Sequence, residues 1–388
     1  MNDSTTIMTT TNQNYNKTNH AGQMAGNIFL QIGRILFGIV FVFSGFVKAI
    51  DPLGSTYKIE DYLRTFGGFF ESMADYAFPI AIALSTIELL IGLNLIFKVH
   101  LNLTMLLALV FMAVMTPLTL YLAIKNPVTD CGCFGEALII SNWATFFKNV
   151  VLIGLIILLL VFRSKFRPFL SIKVQHIGAV TFIAIGILLS VYSYRHLPMI
   201  DFLPYKVGVN IPKAMIIPED APLDVFKTTF IYEKDGAQKE FTLENYPKGD
   251  SSWVFVDQKT ELITPGYKAP IHDFSIMSGQ FDDITKQVLN YPGKTYLFIM
   301  YDVNETSEAG ARKAEMIYKK YAKTGIKFYA LTGSSDADVL KFKDKTDVTF
   351  PFWKTDPTVL KTMIRANPGL VSLEKGTITG KWNWRDFN

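Results

Sequence analysis

The chain has 388 residues, of which 49% are hydrophobic and only 19% charged, with a formal net charge of +4. An ordinary soluble domain carries about 25% charged residues, so this composition argues against a wholly soluble protein. The positive balance comes largely from short basic connections between apolar runs, so no nucleic-acid partner is expected.

Residues 1–27 are polar, rich in Thr and Asn, and read as a disordered tail. Five apolar runs follow, at 28–50, 77–97, 101–124, 143–162 and 174–194. Each is close to the length of about 20 residues that a bilayer crossing requires. Buried core helices are the alternative, and runs this long and numerous favour membrane spans. The first run exceeds the apolar segment of a signal peptide, and VKAIDP offers no small-residue cleavage site, so it should remain as a transmembrane helix. Pro117 should kink the third helix by removing a backbone donor.

Orientation follows from the basic residues of short loops. The connection 163–173 holds Arg163, Lys165, Arg167 and Lys173 with no acid, whereas 51–76 and 125–142 are acid-rich or mixed. This places the N-terminus in the cytoplasm and the chain after residue 195 outside, the periplasmic side of a bacterial inner membrane.

Charges inside a span are costly and mark structural or functional pairs. Arg34 in the first run and Glu88 in the second lie at similar depths, about 10 Å in from one side at 1.5 Å per residue, and should form an ion pair. That pair either locks the bundle or serves a proton or quinone site. Toward the outer face, Ser44, Lys48 and Asp51 close the first run, and Lys148 and Asn149 lie near the start of the fourth. Two lysines near a thiol would stabilise a thiolate; lysines snorkelling to the interface are the other reading.

Only two cysteines occur in the chain, Cys131 and Cys133 in TDCGCFGEA. Two thiolates are half of a tetrahedral metal site, and only His196 and His272 share their compartment, without diagnostic spacing, so no metal site is assigned. Buried inert cysteines are a second reading. The third, and favoured, is a redox pair, since the loop faces an oxidising compartment. Residues two apart can reach the Cα separation of a disulfide, and a ring so tight should be exchange-prone. Gly132 and Gly135 would permit the turn.

Beyond the fifth run, 195–268 reads as a β-rich connecting region, with a hairpin of 228–232 and 239–243 about an Asp-Gly turn and another strand at 251–257. After Pro270 come a strand at 294–303, a helix at 305–325, a strand at 326–334, helices from Ser335 and over 357–366, and a hairpin over 369–382. This is an α/β order.

GIVFVFSGFVKAIDP (38–52) and IELLIGLNL (87–95) resemble the first two helices of the DoxX superfamily. DCGCFG (130–135) with WATFFKNVVL (143–152) resembles its MauE branch, over about 28–165 in all. The resemblance implies a four-helix membrane bundle, and MauE is associated with maturing a disulfide-rich periplasmic dehydrogenase subunit. No such substrate is visible in this chain, so methylamine is not carried over. The region 269–388 resembles thioredoxin-like domains, with APIHDFSI (269–276) as the leading strand and Pro368 as a candidate cis-proline. The place of their Cys-x-x-Cys reads YDVNETSEAG (301–310), without cysteine, so this domain cannot exchange disulfides by itself.

The expected fold is a membrane all-α bundle of about five transmembrane helices, a DoxX-like four-helix bundle (28–165) plus one (174–194), followed by an extracytoplasmic α/β thioredoxin-like domain (269–388). Its expected role is thiol–disulfide chemistry of exported proteins through Cys131 and Cys133, supported by Lys48, Asp51, Lys148 and Asn149, with a quinone as the electron partner to consider. The rival expectation is a non-catalytic membrane scaffold whose thioredoxin-like domain binds an extracytoplasmic partner.

Overall fold

The computed structural model describes residues 3–387 except 127, 129, 265, 280, 281 and 322, with side chains from residue 24 onward. Helix α1 runs Asp3–Ile50, so the backbone is helical through most of the stretch expected as a disordered tail. Once the apolar run has nucleated a helix, each further residue adds a hydrogen bond, which extends it into poorer sequence. Then come α2 (Pro52–Phe66), α3 (Gly68–Glu71), α4 (Ala77–Phe97), α5 (Leu101–Lys125), α6 (Asn142–Val161) and α7 (Ile172–Arg195). Five segments are long and apolar enough to cross a membrane: Met24–Ile50, Ala74–Phe97, Leu101–Lys125, Asn142–Val161 and Ile172–Arg195.

Helices α1 and α4 approach to backbone contact through glycine. A Cβ on Gly45 would lie 2.5 Å from the Leu89 nitrogen, and one on Gly92 would lie 2.5 Å from that of Val42. Small residues at such crossings are how membrane helices gain packing where apolar burial gives no net drive. Phe37, Phe41, Ile91, Leu95, Met105, Ile156 and Leu159 fill the interior, while Leu103, Val110, Val151 and Ile177 point outward, as lipid contact requires. Gln175 of α7 accepts from the His100 N–H at 2.8 Å, tying the fifth span to the turn between α4 and α5. Helix α5 continues past Pro117 to Lys125. By the alternation of the spans, the basic connection 163–173 lies at one end of the bundle, and the turn with Cys131 and Cys133 lies at the other, with the rest of the chain.

Helix α2 begins at Asp51, whose side chain accepts from the Gly54 N–H at 2.9 Å, with Pro52 in the first helical position where no amide donor is needed. After α7 and the short α8 (Ile211–Ala214), strands β1 (Val225–Lys234), β2 (Ala237–Thr242) and β3 (Val254–Thr264) form an antiparallel sheet of order β2-β1-β3. Asp235 and Gly236, both at positive φ, make the hairpin turn.

The remaining elements are α9 (Thr285–Leu289), β4 (Lys294–Ile299), α10 (Glu308–Tyr321), β5 (Lys327–Thr332), α11 (Asp336–Thr346), β6 (Phe352–Lys354), α12 (Pro357–Met363), β7 (Gly369–Glu374) and β8 (Thr377–Asn383). They build a mixed five-stranded sheet of order β6-β5-β4-β7-β8, in which β4, β5 and β6 are parallel and the β7–β8 hairpin is antiparallel. Leu297 and Ile299 enter the core on one face with Val359 and Leu360 of α12. Phe298 and Met300 enter the other with Ala311 and Ala314 of α10. The twofold alternation of a strand divides them. The chain is therefore a membrane bundle followed by a mixed α/β domain.

Two expectations fail here. Residues 269–276 form no strand. Pro270 brings no amide donor, the Ile271 N–H goes to Ala214, and Ile271, Phe274 and Ile276 drop into the core, and the pairing that follows is limited to isolated bridges from Met277 to Asp283 and to Lys354. The α/β domain also reaches back beyond 269. Tyr205 and Ile211 belong to its core, and Val209 and Gly208 bond Ile378 of β8.

This domain is fixed to the bundle through α2. Arg365, before the cis Asn367-Pro368 bond, donates from Nε to both Asp51 carboxylate oxygens at 3.0 and 3.1 Å. Its guanidinium also lies over the Tyr57 ring, and the Tyr57 and Tyr301 hydroxyls are 3.1 Å apart. Burial alone would lower the Arg365 pKa, but Asp51 beside it leaves it raised. His196 and Asp386 add a contact of 2.7 Å at the end of α7. Arg365→Met should cost about 1–3 kcal/mol, because it leaves the half-buried Asp51 carboxylate without its main partner. Asp51→Asn combined with Arg365→Met should recover part of that loss, since asparagine keeps the cap and no lone charge remains. Thermal unfolding in detergent checks both; an Arg365→Met protein as stable as wild type would remove this contact as the anchor.

Candidate functional site

The turn between α5 and α6 is built by its own backbone needs. Gly132 (φ 62°) and Gly135 (φ 52°) take left-handed conformations, and the Gly135 N–H bonds the Gly132 carbonyl at 3.0 Å. Asp130 Oδ1 accepts from the Gly132 N–H at 2.8 Å. Asn142, at the start of α6, donates to Asn126 Oδ1 at 2.9 Å and to the Val128 carbonyl at 2.8 Å, closing the base of the loop. Within this frame Cys131 and Cys133 are joined, with sulfurs 2.27 Å apart and Cα atoms 5.4 Å apart. Both are buried, each 8% exposed, against Leu122 with Tyr62 and Leu118 beside them.

From above, α2 covers the pair. Lys58 Nζ meets Asp130 Oδ2 at 2.8 Å, and the Tyr62 hydroxyl donates to the Asp130 carbonyl at 3.2 Å. Burial, then the Asp130 carboxylate, raises the Tyr62 pKa, so the phenol stays a donor. From below comes Glu88 of α4. Its Oε1 accepts from Lys48 Nζ at 2.7 Å, and its Oε2 lies 2.7 Å from Ser44 Oγ. Ser44 Oγ is also 2.6 Å from the Cys133 carbonyl oxygen, so one hydroxyl proton serves two acceptors. The glycine contacts between α1 and α4 bring these groups to one level.

The structure corrects the expected Arg34–Glu88 pair. Arg34 donates instead to the Leu95 and Ile96 carbonyls at the far end of α4 and to Gln31 Oε1. Glu88 stands about two turns away along α4, level with Ser44 and Lys48, because Gly45 sets the register against Ser85 and Leu89. Asp51 is also not in the cysteine site, since it caps α2 and binds Arg365. Lys148 lies with its ammonium 4.3 Å from the Phe134 ring centre and lines, with Lys48, Glu88, Asn149 and Cys133, a small cavity of about 30 Å³. Asn149 donates to Thr119 Oγ1 at 3.2 Å. Lys58, Tyr62 and Asp130 were not foreseen as site residues. The signal for the first two was their four-residue spacing on one face of α2, and for Asp130 its place directly before Cys131.

A second, larger opening of about 450 Å³ lies between α2, α4 and α5 and ends at Cys131, Gly132 and Cys133. Among the described residues no group of three or more His, Cys, Asp and Glu is placed to hold a metal.

Residues 26–162 match the family of Methylamine utilisation protein MauE, and residues 226–265 match a domain of unknown function, DUF8463. No curated protein and no solved structure gives a significant match. The membrane region is thus MauE-like, and the family match ends at the last residues of α6, before the fifth span.

Glu88→Leu should destabilise the bundle by about 3–5 kcal/mol, because it leaves Lys48 buried with no counter-charge. Glu88→Leu with Lys48→Met should restore most of that stability, whereas exchanging Arg34 and Glu88 should not. Unfolding midpoints in detergent report the result, and rescue by the Arg34 and Glu88 exchange would contradict the pairing described above.

Proposed function

We propose that this protein carries out thiol–disulfide exchange for exported proteins at a bacterial inner membrane, with Cys131 and Cys133 as the reacting pair. The observation that carries this reading is the junction of the chain's only two cysteines, on the side of the bundle that carries the α/β domain, against a buried Lys48–Glu88–Ser44 group. The basic connection 163–173 at the opposite end supports a cytoplasmic N-terminus and a periplasmic α/β domain.

In the exchange, a substrate thiolate attacks one sulfur of the pair. The Cys131–Cys133 bond breaks, a mixed disulfide forms, and the other cysteine leaves as a thiolate. A second substrate thiolate then attacks the mixed disulfide. The substrate leaves oxidised, and two electrons remain on the Cys131 and Cys133 sulfurs. Lys48, Lys148 and Lys58 line the spaces at the pair, and Lys48 and Lys148 are read as the cations that stabilise a departing thiolate, since Lys58 is paired with Asp130. Access from the outer side requires Lys58 and Tyr62 to part from Asp130.

The bundle is read as DoxX-like, with α1, α4, α5 and α6 as its four helices. The α/β domain is read as thioredoxin-like, and the parallel β4 and β5 followed by the antiparallel β7–β8 hairpin support this. Lacking cysteine, it serves as a docking module. A scaffold reading, in which that domain only holds a partner, is favoured by a polar opening of about 680 Å³ between α2 and the loops around Tyr301 and Asn367.

Cys133→Ser and Cys131→Ser should each trap a mixed disulfide with an exported protein, seen as a reducible higher band on a non-reducing gel of membranes. The double serine variant should give none. If neither single variant traps a partner and the double variant supports the same phenotype as wild type, the scaffold reading replaces exchange.

A further inference from the structure

The 450 Å³ opening beside the disulfide has no use in exchange with a polypeptide thiol. Its walls are Ile59, Leu63 and Phe66 of α2, Leu84 of α4, and Val114 and Leu118 of α5. A peptide placed there would lose the water on its backbone without gaining partners, which costs several kcal/mol per amide. An apolar ring would gain by the same burial, and the volume falls within the range of about 300–1,000 Å³ found for small-molecule sites. Helices α4 and α5 are candidate spans, and Val114 at the rim is 64% exposed on the bundle's outer surface, so the opening can fill from the bilayer. Its polar end holds Lys48, Glu88 and the two cysteines, with Ser55, Lys58 and Tyr62 of α2 on one side, Lys58 being paired with Asp130. The space is therefore apolar along its length and offers an ammonium donor where it meets sulfur.

We infer that this opening binds a lipid-borne quinone, which takes the electrons that exchange leaves on the pair. The inference rests on the exchange reading given above. The reduced pair and the quinone react as one dithiol with one quinone. The S–S bond between Cys131 and Cys133 forms, two electrons pass from the sulfurs to the ring, and two protons end on its carbonyl oxygens as hydroquinone. Lys48 is the group that donates to the oxygen as charge develops on it. Glu88 holds Lys48 in place, 2.7 Å away.

The test uses the full chain in nanodiscs, reduced and freed of reductant under anaerobic conditions, with decylubiquinone as probe. Wild type should reduce about one quinone per pair, with loss of both free thiols. Lys48→Met combined with Glu88→Leu, which leaves no lone charge, should slow this at least tenfold while the protein unfolds near the wild-type midpoint. In oxidised wild type the quinone should raise the unfolding midpoint, as a ligand of the folded state does. Leu84→Trp should abolish both the rise and quinone reduction, and Leu118→Phe serves if the tryptophan variant unfolds without ligand. A parallel assay offers oxidised wild type a dithiol peptide. If the peptide is oxidised but reduced protein leaves the quinone unchanged, the quinone site is overturned and exchange stands. If the peptide is also left reduced, both readings fall. A midpoint shift that persists in the filled-in variants places the quinone elsewhere and overturns this site.

Discussion

A carboxylate held inside a membrane bundle sets the terms for everything around it. Glu88 is 3% exposed, and an unpaired charge there would cost more than most helix contacts contribute. Lys48 and Ser44 remove that cost, and they can do so only because α1 and α4 touch backbone to backbone at Gly45 and Gly92. Ser44 then extends the group to the Cys133 carbonyl. The position of the cysteine turn over the bundle is thus tied to a buried charge.

Helix α2 connects the two halves of the chain. One of its faces, with Ser55, Lys58, Ile59 and Tyr62, lies over the sulfurs and the apolar opening; another, with Tyr57, Glu60 and Arg64, borders the opening beneath the α/β domain. Asp51 at its first turn serves as cap and as partner of Arg365. Gly54 is small for a related reason, because a Cβ there would lie 2.8 Å from the Arg365 guanidinium. The MauE-like region and the α/β domain are therefore joined through an element that belongs to the first and is completed by the second.

The five spans were legible from hydropathy alone, and their observed bounds lie within a few residues of the expected ones apart from the N-terminal extension. The Asp235-Gly236 turn was legible too, since few other pairs accept positive φ, and so was the hairpin over 369–382, which turns at Lys375 and Gly376. What stayed hidden depended on distance or register. Arg34 and Glu88 look equally deep when counted from the ends of their runs, but helix ends do not report where two backbones cross. Asp51 reads as part of the cysteine cluster because Lys48 is its neighbour, whereas its partner Arg365 lies 314 residues away. Helix α2 has a mixed face that neither hydropathy nor charge marks as an element, and its cover over Cys131 was missed with it. Residues 269–276 were matched to a leading strand by resemblance, yet Ile271, Phe274 and Ile276 fill a core instead of pairing along a sheet edge.

Covering the sulfurs and seating the α/β domain with one 15-residue helix has a thermodynamic consequence. Any displacement of α2 that uncovers Cys131 and Cys133 also disturbs Asp51, Tyr57 and the contacts they make. Helix α2 is a wall of both openings. Were a molecule bound in one to shift α2, affinity at the other would change, and linkage would make the effect equal in both directions. One short helix thus sets the shape of an apolar space on one side and a polar space on the other.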